Sequence, residues 1–258
     1  VIIRLLDSTD GTILFNGQDI TNVKETKALR REMQIVFQDP FASLNPRMSV
    51  SEIIGEPLHI HNICKGAELQ KRVEELMDTV GLAQRFASSY PHELDGGRRQ
   101  RIGIARAQFI VCDEPVSALD VSIQAQILNL MQDLQEERKL TYMFITHDLS
   151  VVKHISNEIM VMYLGMVVEK SESDELFENT LHPYSKALLA AIPEPTLKAR
   201  RDLLRGEITS PVNPKPGCRF AARCPYARER CFQQSPALEE IMENHFVACH
   251  YVREINGL

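Results

Sequence analysis

Apolar positions in the first half of the chain alternate between short β-branched runs and longer stretches with a helical period. The runs Thr12 to Phe15, Gln34 to Phe37, Phe109 to Cys112, Tyr142 to Thr146 and Glu158 to Tyr163 have the length and residue types of strands. Between them, Leu69, Val73, Leu76, Met77 and Val80 share one face of a helix over 67–80, which Gly81 is placed to stop. The same spacing recurs at Ile123, Ile127, Leu130, Met131 and Leu134, directly after a strand that ends in two carboxylates. Strand, turn and helix in alternation predict an α/β domain. From Leu181 onward prolines at 183, 193, 195, 211, 214, 216 and 225 break the period, except near 184–191. This change of texture puts a domain boundary near 171, dividing the chain into 1–170 and 171–258.

Charge and composition narrow the classes. Lys and Arg total 29 against 35 Asp and Glu, a net −6, which argues against a protein that coats duplex nucleic acid. No apolar run approaches the ~20 residues that cross a bilayer. The chain opens on Val1 with no cationic leader or cleavage site, so a cytosolic address is expected. Four of the six cysteines, Cys218, Cys224, Cys231 and Cys249, fall near the C-terminus. In a reducing compartment such a cluster suggests a metal or iron–sulfur site rather than disulfides. The cysteine spacing is wider than the close pairs that structural zinc usually takes, while an iron–sulfur cluster needs only four thiolates brought together by the fold. Arg219, Arg223, Arg228 and Arg230 would offset the charge of a thiolate-ligated cluster. Zn²⁺ stays open as the alternative, His250 is a further possible ligand, and Cys64 and Cys112 have no partner at useful spacing.

The candidate chemistry lies at strand ends. Phe109 to Glu114 is an apolar strand ending in Asp113 and Glu114, acids at the edge where doubly wound folds bind ligands. One acid can hold Mg²⁺ through water, and the next can take the proton from an attacking water. His147 follows a second apolar run and Gln38 a third. Leu94-Asp95-Gly96-Gly97-Arg98 opens a helix whose bare N–H groups attract phosphate. Ser117 to Asp120 forms a loop with an acid at a fixed offset from Glu114.

In this order the elements resemble the ATP-binding cassette (ABC) transporter ATPases: a Q-loop at Gln38, a signature at 94–98, a Walker B strand at 109–114, a D-loop at 117–120 and a switch histidine at His147. The stretches Phe37 to Met48, Cys112 to Ser122 and Leu181 to Leu188, with the C-terminal cysteines, are similar to the oligopeptide and dipeptide importer ATPases. The resemblance implies an ABC-type, RecA-like nucleotide-binding domain with a helical subdomain at about 39–97, followed by a small Cys-rich C-terminal domain. It implies ATP and Mg²⁺ as ligands, with Asp113 on the metal shell, Glu114 as general base, His147 sensing γ-phosphate and Gln38 watching metal and water. Leu94, Asp95, Gly96, Gly97, Arg98 and Asp120 would close over ATP held by a second ABC ATPase subunit, in a homo- or heterodimer. It further implies a 4Fe-4S cluster on the four cysteines, transmembrane permease subunits as partners, a peptide-binding protein engaged indirectly, and a peripheral position on the cytoplasmic face of the membrane. ATP-driven peptide import is the expected function; a catalytically degenerate regulatory or redox-sensing subunit and a non-transport ABC ATPase are the alternatives.

Two departures stand out. The Walker A loop, Gly-x-x-x-x-Gly-Lys-Ser/Thr, which cradles phosphates with backbone amides and a lysine, does not occur in the 258 residues. It is expected ahead of Val1, since Val1 to Leu6 resembles the tail of the helix that follows it, and a shortened connection is expected between Ala107 and Gln108. The signature carries Asp95 and Arg98 where the family has Ser and Gln. Asp95 suits a helix N-cap, yet it would set a negative charge beside γ-phosphate unless Arg98 compensates.

Overall fold

The computed structural model describes residues 1–24, 26–39, 42–105, 109–192, 210 and 212–258. The Ala107–Gln108 junction, Pro40, Phe41, Pro211 and residues 193–209, with Pro193 and Pro195, lie outside the described residues. The chain divides into two compact units, Val1–His147 and Asp148–Leu258.

The first unit opens with a two-strand hairpin, β1 (Leu14–Phe15) and β2 (Gln18–Asp19), closed by Asn16 and Gly17, both at positive φ. Two such residues in succession make the turn whose twist matches antiparallel strands. Helix α1 (Lys27–Glu32) leads into β3 (Met33–Val36). Ser49 then starts α2 (Val50–Ile60) with a capping box: its backbone N–H donates to Glu52 Oε2 at 2.7 Å while its hydroxyl accepts from the Glu52 N–H. Helix α3 (Ala67–Thr79) buries Val73 and Met77, and Val73 lies against the bare backbone of Gly55 in α2. The helix expected over 67–80 is this one. Helix α4 (Gly96–Ile104), β4 (Phe109–Asp113), α5 (Val121–Arg138) and β5 (Thr141–Ile145) complete the unit. Ile127, Leu128, Met131 and Leu134 of α5 are buried, each stabilising the fold by ~1.5–3 kcal/mol relative to exposure. Strands β3, β4 and β5 form a parallel sheet in that order, with Val36 opposite Cys112 and Asp113 opposite Ile145.

The second unit contains α6 (Leu149–Ile155), β6 (Glu158–Tyr163), β7 (Met166–Glu172), α7 (Ser173–Glu178), α8 (Pro183–Leu189), α9 (Glu229–Gln233), β8 (Glu239–Met242), β9 (His245–Val247) and α10 (Val252–Asn256). Its antiparallel sheet runs β6-β7-β9-β8. The expectation of a separate small Cys-rich domain is corrected here: β8 and β9, from the cysteine-bearing tail, complete a sheet begun by β6 and β7, with Glu169 opposite Val247. The tail has too few apolar residues for a core of its own and uses this sheet instead. Phe220, 1% exposed, sits between two of the cysteines in sequence and packs edge-on against Tyr163 of β6, ring centroids 5.3 Å apart.

A buried charge pair ties this unit together. Glu169 and His245 are fully buried, His245 Nε2 lies 2.9 Å from Glu169 Oε1, and the same carboxylate accepts the backbone N–H groups of Leu181 at 2.7 Å and His182 at 3.2 Å. Burial works against a charged His245, but the hydrogen bonds and charges of Glu169 and Glu175 outweigh it and hold its pKa above 6.5. The stability this contributes is fully present below the ordinary histidine value and is lost as pH rises through the raised one. His245→Ala should strand the buried carboxylate and destabilise the second unit by about 3–5 kcal/mol. Denaturation followed by hydrogen exchange of β7 amides checks this, with the parent, and not the variant, losing protection between neutral and alkaline pH.

Candidate active site

Each strand of the parallel sheet delivers its following residues to one edge. Just beyond the ends of β3, β4 and β5 stand Gln38, Glu114 and His147, and the three meet. Gln38 Nε2 donates to Glu114 Oε2 at 2.7 Å, and His147 Nδ1 lies 2.9 Å from Glu114 Oε1. The Glu114 side chain is 24% exposed and that of His147 75%. Hydrogen bonding to His147, joined by its charge and by bonds from Ser117 and Gln38, holds the Glu114 carboxyl below the usual carboxylate range. A carboxylate gripped on both oxygens is ionised and oriented, as proton abstraction requires.

The backbone at Glu114 contributes to this geometry. Its φ is +46°, the left-handed region, which costs a non-glycine residue about 1–3 kcal/mol. Its N–H still bonds the Ile145 carbonyl at 2.8 Å, so the chain turns out of β4 with the sheet ladder intact and presents the carboxylate at the edge. Ser117 Oγ donates to the Glu114 carbonyl at 3.0 Å and fixes the turn from the other side. Asp113, half-buried, is the last residue of β4 beside this group.

The remaining candidates sit apart from this trio in role. Asp120 caps α5, accepting the Ile123 N–H at 3.1 Å. Leu94 is 3% exposed and anchors the turn before α4. Asp95 caps α4: Oδ1 accepts the Arg98 N–H at 2.8 Å and Oδ2 pairs with Arg98 Nη1 at 2.7 Å. Gly96 and Gly97 are required by close packing, since a Cβ at Gly96 would meet Leu119 Cδ2 at 2.7 Å and one at Gly97 would meet Ile123 Cγ2 at 2.6 Å. The α4 start therefore lies directly on the D-loop and α5. Phe86, whose ring carries the Arg98 guanidinium 4.6 Å from its centroid, was not legible as a site residue, because no motif singles it out.

In the second unit Cys218, Cys224, Cys231 and Cys249 line one cavity with Phe220, Tyr226 and His250. Backbone N–H groups point at the sulfurs: Phe220 and Ala221 at Cys218, Tyr226 at Cys224, Tyr251 at Cys249. Burial raises the thiols of Cys218 and Cys249 and pushes Cys224 up to about 11, with the neighbouring cysteines adding to each shift. Gly217, at φ +96°, lets the two chain segments touch: a Cβ there would stand 2.5 Å from the Cys231 carbonyl, to which Cys218 N–H donates at 2.7 Å. The donor set is that of a thiolate site, but the cavity is only about 20 Å³, and among the described residues no group of three or more His, Cys, Asp or Glu is arranged to hold a metal ion. Cys64 and Cys112 are buried in the first unit.

Comparison with known proteins decides the family. Residues 1–120 match the family model for ABC transporters, and residues 168–231 match that for the oligopeptide/dipeptide transporter C-terminal region. The oligopeptide transport ATP-binding protein AppF of Bacillus subtilis (strain 168) is 53% identical, over 96% of this chain and 79% of its own length. The chain belongs to the ABC transporter family. Another ABC relative, the oligopeptide transport ATP-binding protein OppF of Haemophilus influenzae (strain ATCC 51907 / DSM 11121 / KW20 / Rd), is 48% identical over 96% of this chain and 78% of its own length. Among solved ABC structures, the dimeric post-hydrolysis state of the cassette MJ0796 bound to ADP and Pi superposes with a TM-score of 0.58 at 28% identity, over 66% of this chain and 76% of that one. CbiO1 from Clostridium perfringens, part of the cbiONQ transporter complex, gives 0.61 at 26% identity, over 69% and 72%.

The glycine contacts generate a graded expectation. Leu119 Cδ2 is the free end of a flexible side chain, whereas Ile123 Cγ2 is branched at Cβ and stiff. Gly97→Ala should therefore destabilise the first unit by about 1–3 kcal/mol, and Gly96→Ala by less. Urea denaturation midpoints of the two variants check the order.

Proposed function

We propose that this chain is the ATP-hydrolysing subunit of an ABC importer for oligopeptides or dipeptides. The observation that carries the reading is the hydrogen-bonded trio Gln38–Glu114–His147 at one edge of a parallel sheet. In this role Glu114 takes the proton from the water that attacks γ-phosphate, and Gln38 holds the second carboxylate oxygen so that the first faces the water. His147 rests on Glu114 and turns to the phosphate when nucleotide arrives, which releases the base at that moment. Asp113 would hold Mg²⁺, which supplies charge neutralisation on the phosphates when bound. The helical segment around α2 and α3 docks membrane-spanning permease subunits, and a second ATPase subunit completes the nucleotide site. No helix among the described residues is long and apolar enough to cross a membrane, consistent with a peripheral subunit on the cytoplasmic face. The C-terminal match at 168–231 supports a transporter over an ABC ATPase of another kind.

The test is Glu114→Gln in the full-length subunit. Steady-state ATP hydrolysis should fall by at least 10²-fold while nucleotide binding persists, since binding uses phosphate contacts and hydrolysis needs the base. Turnover within a factor of two of the parent would remove Glu114 from the role.

The cysteine site belongs to the same proposal as a 4Fe-4S centre held by Cys218, Cys224, Cys231 and Cys249. Four thiols around one cavity, each of three receiving backbone N–H groups, support it; a cluster would supply a covalent staple for a segment poor in apolar residues. Protein purified without oxygen should be brown with about four irons per chain. Cys224→Ser should remove most of the colour and make the region after Leu181 protease-sensitive. A colourless preparation whose Cys218 and Cys249 alkylate freely in the folded state would overturn this part.

A further inference from the structure

The signature segment is where this chain parts from the pattern it resembles, and its geometry is specific. One carboxylate, that of Asp95, engages two donors together: Oδ1 takes the Arg98 backbone N–H at the start of α4, and Oδ2 takes Arg98 Nη1. A backbone amide at a helix start and a guanidinium are both donor types that bind phosphate. The Arg98 side chain is 41% exposed and that of Asp95 56%, so the pair faces solvent, and the Phe86 ring supports the guanidinium from behind. Gly96 and Gly97 hold this helix start against Leu119 and Ile123 and leave it little freedom to retreat.

We propose that Asp95 is an internal competitor for phosphate: in the resting subunit it occupies Arg98, and the γ-phosphate of an ATP held by a second ATPase subunit must take Arg98 from it before the site closes. Arg98 then becomes the phosphate-binding residue of this signature, and Asp95 raises the ATP level at which closure occurs. This rests on the reading of the chain as an ABC ATPase. The exposed pair contributes little to the fold, so its charges are free to exchange partners. Asparagine caps helices as well as aspartate does, which makes Asp95→Asn a clean probe of charge without loss of the cap.

The experiment follows ATP-driven association of the full-length subunit by sedimentation across an Mg-ATP titration, with Glu114→Gln in every protein to block hydrolysis. Asp95→Asn should lower the ATP midpoint at least tenfold, because Arg98 is released. Arg98→Gln should raise it above the parent, because an unpaired carboxylate then faces the phosphate. The double variant should fall between the parent and Asp95→Asn, which separates a phosphate-binding Arg98 from one that only neutralises Asp95. Equal midpoints for Asp95→Asn and the parent overturn the competitor. A double variant matching Asp95→Asn overturns the role of Arg98 on phosphate. Absence of association in all four proteins overturns the ATPase reading and the competitor with it. Matching thermal melts show that each variant is folded.

Discussion

A parallel sheet sends the ends of its strands to one edge, and nearly everything at the candidate site descends from that constraint. Strands β3, β4 and β5 are in register, so chains leaving Val36, Asp113 and Ile145 emerge side by side and carry Gln38, Glu114 and His147 into hydrogen-bonding range. Parallel neighbours cannot be joined by tight turns, so helices must make the return journeys. Helices α2 to α4 span one crossover and α5 the other. Once α4 and α5 lie in contact, the residues where they touch must be small, and Gly96 and Gly97 follow from that.

The strands of this sheet were legible because each is a short apolar run bounded by polar residues, displaced in the structure by at most one residue from the pattern at either end. The long helices were legible because Val73, Met77, Ile127 and Met131 repeat at the helical period and are buried. What the pattern hid was non-local. Strands β8 and β9 are three or four residues long and include charged residues such as Glu239 and Glu240, and β9, which pairs with β8 on one side, finds its other partner β7 more than seventy residues earlier. No window along the chain holds both halves of that pairing. The hairpin at Asn16-Gly17 was legible in half: the run Thr12 to Phe15 contains β1, which is shorter by two residues, whereas β2, of two polar residues, is too short to register as a period. At the candidate site, residue types and order were sufficient for the trio, whereas the ion pair joining Asp95 to Arg98 depends on rotamers that sequence does not state.

The second unit follows a different logic from the first. Among its described residues Tyr163, Val168 and Phe220 form one buried cluster and Leu181, Val247 and Val252 another. At its centre one buried polar group is fully partnered: the Glu169 carboxylate receives two backbone amides and a histidine. Such a group is costly to bury alone and specific when paired, because few alternative packings would supply all three donors. The cysteine segment joins this arrangement through Phe220 on one side and the backbone contact at Gly217 on the other, so its position is set by the sheet even before any metal is considered.

The left-handed turn at Glu114 bears on how such a chain drifts over generations. Glycine and asparagine tolerate that conformation with little strain, and glutamate does not. A lineage released from the need to hydrolyse nucleotide would meet a downhill path here: replacement by either residue relaxes the backbone and deletes the carboxylate in one step. A glutamate in the strained position sets backbone stability against the proposed chemistry at a single residue.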